Sequence, residues 1–135
     1  MEIMKKNTNL GLLILRVTVA SLMLFHGIAK LGHLDGIKGM LSTNDLPEFM
    51  AYGAYITEII APLIILIGYR TRLASLVFFV GMLFIIFLAH TNDIFSISDK
   101  GALQNELIYF YTFGSVALFF TGAGKYAISS KNNWD

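Results

Sequence analysis

The sequence contains no cysteine. That absence excludes disulfide scaffolds, thiolate metal sites, iron–sulfur ligation and dithiol redox chemistry within the chain. Charge is also scarce. Only 14% of the 135 residues are Asp, Glu, Lys or Arg, where a soluble domain carries about 25%. The net charge of +1 offers no broad basic surface, so nucleic acid is not an expected partner. Proline occurs only twice, at positions 47 and 62, and both bear on the helices described below.

What is plentiful is apolar. Hydrophobic residues make up 56% of the chain, and the mean hydropathy is +0.66. The runs LIILIG, FFVGMLFIIFLA and LIYFYTFGSVALFF are continuous rather than alternating. In lipid every segment must satisfy its own backbone, so such runs predict helices. The expected fold is an all-α, polytopic membrane protein, a bundle of four transmembrane helices. One domain over residues 1–135 would hold helices at about 10–31, 49–68, 73–90 and 105–122. Asn44, Asp45 and Pro47 mark the start of the second. Lys5 and Lys6 ahead of an apolar run look like a signal peptide. The run is too long and lacks an A-x-A site, so the first helix is expected to be retained.

Basic residues set the orientation. Lys5, Lys6, Arg70, Arg72, Lys125 and Lys131 fall on one side of the spans. Lys30, Lys38 and Lys100 fall on the other, diluted by acidic residues. The positive-inside rule then places both termini in the cytoplasm. In the first outer loop Ile37, Met40 and Leu41 sit at helical spacing. They predict a partial helix on the membrane surface, with an irregular loop as the alternative. The tail from Ser129 onward is expected to fray.

Ionisable residues inside a span are costly and mark function by default. Arg16, His26 and Lys30 fall within roughly 80° of one face of the first helix. Glu58 lies about 13 Å deep in the second, where Pro62 leaves its carbonyl without a donor. His90 ends the third helix and Glu106 opens the fourth, with Tyr109 one turn further on the same face. His26, Glu58, His90, Glu106, Arg16, Lys30 and Tyr109 are therefore the expected ligand-binding or proton-relay set. Each has a plainer reading. Arg16 can pair structurally with Glu58, Lys30 can snorkel outward, and Tyr109 can belong to an aromatic belt. Glu106 suits any first helical turn. The histidines and carboxylates are spread over four helices with no paired spacing, so no metal site is expected.

The spaced pattern Arg16…His26-Gly27-x-x-Lys30-Leu31 resembles the opening of the DoxX family of small bacterial membrane proteins. Glu58 and Pro62, then Gly68-Tyr-Arg-Thr-Arg72, His90, Glu106 and Gly122-Ala-Gly124-Lys125-Tyr126 follow in order. The resemblance runs over about residues 9–128. It departs at Lys125–Ser129, where family members often carry an aspartate and this chain has no carboxylate. The resemblance implies four helices in the bacterial plasma membrane, cytoplasmic termini and an association with redox chemistry. Related proteins are described as the membrane subunit of a thiosulfate:quinone oxidoreductase, or as partners of thiol and superoxide defence enzymes. The implied function is a redox-associated membrane subunit that binds quinone or a small sulfur species. Its partners would be the lipid bilayer, a redox partner subunit and a second copy of itself. The alternative is a non-enzymatic membrane module whose buried charges are structural or hold a partner.

Overall fold

The computed structural model describes residues 5–135, so the first four residues of the expected domain lie outside it. It contains five helices and, among the described residues, no strand beyond an isolated bridge between Ile97 and Leu103. Helix α1 spans Thr8–Ala29, α2 Asp35–Thr43, α3 Glu48–Ile67, α4 Thr71–Ala89 and α5 Glu106–Thr121. Three of them, α1, α3 and α4, are long and apolar enough to cross a membrane. Helix α5 is equally apolar in character but has 16 residues.

The helix ends follow from local chemistry. Asn7 caps α1, its Oδ1 accepting from the Leu10 N–H at 3.0 Å. Pro47 immediately precedes α3, where its missing N–H costs nothing. Gly68 ends α3 with φ +75° and satisfies two orphan carbonyls, those of Ile64 and Ile65. A side chain at that position would also strike the Ala127 Cβ, 2.5 Å from an ideal Cβ. Helix α3 is not uniform. It opens as a 3-10 turn, Glu48–Tyr52, and passes through a π turn at Ile56–Ile60 before resuming α geometry at Ala61. Pro62 removes one i→i−4 bond there, and the wider turn accommodates the loss.

The core draws on four helices: Val19, Ala20 and Met23 of α1, Ile65 of α3, Phe78 and Met82 of α4, Tyr111 and Leu118 of α5. The outward faces are just as apolar. Phe25, Phe113 and Phe120 are each more than 70% exposed. A continuous apolar exterior of this kind is a surface for lipid. Helix α2 is the partial helix expected in the first outer loop. It does not lie free on the membrane surface, because Leu41 is fully buried against Leu34 and Ala51. It roofs α3 and α4.

The tail is not frayed. Ile128 and Ser129 N–H groups donate to the Ile67 and Gly68 carbonyls. Asp135 folds back to the α3–α4 turn, where its Oδ1 accepts from the Arg70 backbone and guanidinium. Its Oδ2 accepts from the Ser129 hydroxyl and from the Lys131 and Asn132 N–H groups. The Ser129 hydroxyl above all, then the Asn132 amide, Arg70 and the Lys131 amide, lower the Asp135 pKa from 3.8 to about 2, against an opposing effect of burial. A depressed carboxylate pKa stabilises the fold above the unfolded value and ceases to as pH falls through the folded one. The tail is therefore expected to stay clasped above pH 4 and to open as pH falls from 3.8 to about 2. Hydrogen exchange at the Lys131 and Asn132 amides checks this. Protection that persists unchanged below pH 2, or that is unaltered in Asp135→Asn, would contradict it.

Candidate functional site

The site is built around Glu58. The π turn and Pro62 leave its main-chain carbonyl facing α1, and Gly27 meets it there. An ideal Cβ on Gly27 would lie 2.4 Å from the Glu58 carbonyl oxygen. Only glycine allows this approach. One turn further along α1, the Lys30 Nζ lies 2.6 Å from the Glu58 Oε1. The Glu58 side chain is 1% exposed and that of Lys30 is 32% exposed. Lys30, for which outward snorkelling is the plainer reading, turns inward instead. The Tyr55 hydroxyl fixes the end of α1, donating to the Lys30 carbonyl and accepting from the Gly32 N–H.

Two cavities meet at this ion pair. The larger, about 520 Å³, runs between α3 and α4 beneath α2 and is lined by Ile37, Met40, Met50, Ala54, Val80 and Phe84, among others. Its walls are overwhelmingly apolar, and its polar side chains are Lys30, Thr57 and Glu58. The smaller, about 280 Å³, lies between α1, α4 and α5 and is more polar, lined by His26, His90, Gln104, Asn105 and Tyr111. Lys30, Glu58 and Ile85 belong to both. The pair is therefore a partition between an apolar chamber and a polar one.

The expected set divides. Lys30, Glu58, His26 and His90 come together around the cavities. His26 packs edge-on to Tyr111, ring centroids 6.0 Å apart. The His90 Nδ1 is 3.4 Å from the Asp93 Oδ1, but neither atom has a properly oriented hydrogen-bond partner. Arg16 does not reach Glu58. Its Nη1 donates to the Ala123 carbonyl at 2.8 Å and its Nη2 to the Tyr126 carbonyl at 2.5 Å. Its charge anchors the tail at the opposite end of the bundle. Glu106 is exposed in the first turn of α5 and lines neither cavity. Tyr109 donates to the Ile94 carbonyl and so ties down the loop between α4 and α5.

Tyr111 is the residue that sequence reasoning missed. It is 3% exposed and touches both His26 and Phe78. Its position on α5, away from the face of Glu106 and Tyr109, was the available signal. Among the described residues no three His, Asp or Glu side chains converge as a metal would require.

The DoxX family model matches residues 11–91, a stretch that includes Lys30, Glu58 and His90. The chain is also similar to the "Putative oxidoreductase CatD" of Bacillus subtilis (strain 168), at 31% identity over 75 residues. Those residues are 56% of this chain and 56% of that protein, so the match spans little more than half of each. No solved structure matches.

Proposed function

We propose, from the premise that the chain belongs to the DoxX family, that this membrane protein is the quinone-binding membrane subunit of a redox system. In this reading α5 is the fourth span, both termini face the cytoplasm, and the membrane is the bacterial plasma membrane. Similarity to a protein named as an oxidoreductase supports the redox association. The observation that carries the reading is the Lys30–Glu58 pair, its carboxylate buried, in the wall of an apolar cavity of about 520 Å³. Ligand sites are mostly apolar clefts of about 300–1,000 Å³ with a few placed polar groups. A quinone ring with its apolar tail matches that balance.

A bound quinone would supply a carrier for two electrons and two protons. Lys30 has donors beyond the one given to Glu58 and would orient the head group. Glu58 and His26 would hold or pass protons. His90 and Asn105 border the polar chamber, which would admit water or a small sulfur species. The chain has no thiol, so electrons would come from a partner subunit or from that small substrate. The alternative is a non-enzymatic membrane module with structural charges. The guanidinium of Arg16, given to main-chain carbonyls, supports that second reading.

Binding of a decyl-substituted benzoquinone to the purified protein in detergent separates the two. Ala54→Phe fills the larger cavity and should weaken binding at least about tenfold, the effect of about 1.4 kcal/mol. Glu106→Gln, outside both cavities, should leave it unchanged. If the wild type takes up neither this quinone nor its hydroquinone, or if folded Ala54→Phe binds as well as wild type, the quinone reading fails.

A further inference from the structure

The Lys30–Glu58 pair satisfies only half of the carboxylate. Oε1 receives the lysine ammonium at 2.6 Å. Oε2 is buried and has no hydrogen-bond partner at all. Glu58 also borders the smaller cavity, and the His26, Gln104, Asn105 and Tyr111 side chains there give Oε2 no hydrogen bond. The other polar side chain of the large cavity, Thr57, donates its hydroxyl back to the Gly53 carbonyl of its own helix. The remaining walls of that cavity are apolar or backbone. A carboxylate in an ion pair accepts hydrogen bonds and donates none, and a buried acceptor left unpaired is expensive. Only a hydrogen-bond donor can satisfy Oε2.

We propose that the larger cavity selects a hydroxylated ring, the reduced hydroquinone rather than the oxidised quinone. A hydroquinone O–H donates to the Glu58 Oε2, and the same ring oxygen accepts from the Lys30 Nζ. A quinone offers carbonyl acceptors only. It can take the lysine bond but leaves Oε2 as it found it. Lys30 is a third exposed on a long flexible stem, so it is the group that yields to let the ring oxygen approach the carboxylate. Sites built to hydrogen-bond a hydroxyl discriminate strongly against analogues that lack it.

The inference rests on the quinone-site reading and is separable from it. The probes are a decyl-substituted 1,4-hydroquinone kept reduced under anaerobic conditions, the matching benzoquinone, and the hydroquinone's dimethyl ether. The ether keeps the ring and tail but has no donor. Wild type should bind the hydroquinone at least about tenfold more tightly than either of the others. Glu58→Gln presents an amide N–H as well as a carbonyl, and should bring the hydroquinone and quinone to within about threefold of each other. Should that variant fail to fold, the wild-type comparison with the ether decides the matter alone. Equal affinity for hydroquinone and quinone, or for hydroquinone and ether, overturns the proposal and leaves the quinone site standing. If none of the three binds, both fall.

Discussion

Gly27→Ala is expected to destabilise the bundle by about 3 kcal/mol, the upper range for forcing volume into a packed contact. That corresponds to about a hundredfold in the folded-to-unfolded ratio. The cause is local. An ideal Cβ would sit 2.4 Å from the Glu58 carbonyl oxygen, 2.8 Å from its carbonyl carbon and 2.6 Å from the Ile59 Cγ1. Two of these three atoms are main chain in the middle of α3, so no rotamer change relieves them. Helices α1 and α3 must separate, and the Lys30–Glu58 pair one turn away must lengthen with them. Thermal unfolding in detergent measures the loss. Gly36→Ala in α2 is the control, since nothing lies within 4 Å of its Cβ position. Alanine in a helix is otherwise better than glycine by about 1 kcal/mol, so Gly36→Ala should be neutral or stabilising. Equal destabilisation by both would show that the close approach at Gly27 is not the reason.

Lys30→Met should be comparably severe. Removing one partner of a buried pair costs about 3–5 kcal/mol, because the remaining charge is left uncompensated. Lys30 is partly exposed while Glu58 is not, which places the expected cost near the lower end, at about 3 kcal/mol. The second substitution makes the test specific. Adding Glu58→Leu to Lys30→Met removes the stranded charge, and apolar replacement of a buried pair is often neutral. The double variant should therefore recover most of the lost stability, giving a coupling energy of more than about 1 kcal/mol in a double-mutant cycle. A double variant no better than Lys30→Met would mean that the pair does not hold the bundle.

The helices were legible because lipid leaves the backbone no alternative. Continuous apolar runs and Pro47 located the four apolar helices to within two residues of where they stand. Glu58 was legible for a related reason, since a carboxylate so deep in a span cannot be incidental. Its partner was not. Straight-helix geometry put Arg16 and Lys30 on nearly the same face of α1, and long stems allow either cation to reach inward or outward. What decides between them is tertiary. The tail carbonyls of Ala123 and Tyr126 take Arg16, and Gly27 brings α3 within reach of Lys30. The Asp135 clasp was hidden for the same reason, since it joins residues 65 positions apart. No local pattern announces such a contact. Glu106 lines neither cavity, and a helix N-terminus favours an acid there whatever its role.

The π turn at Ile56–Ile60 has a consequence for comparing relatives. Such a turn amounts to one residue inserted into an α-helix. Each residue is about 100° of rotation, so the insertion sets the N-terminal half of α3 at a new angle to its C-terminal half while both remain helical. A relative that reaches the same packing without the turn must lack one residue here. Correct alignment to it needs a single-position gap in the middle of a membrane helix, where gaps are ordinarily disallowed. An ungapped alignment would instead pair Glu58 with its neighbour. The carboxylate would then seem lost from a protein that has kept it.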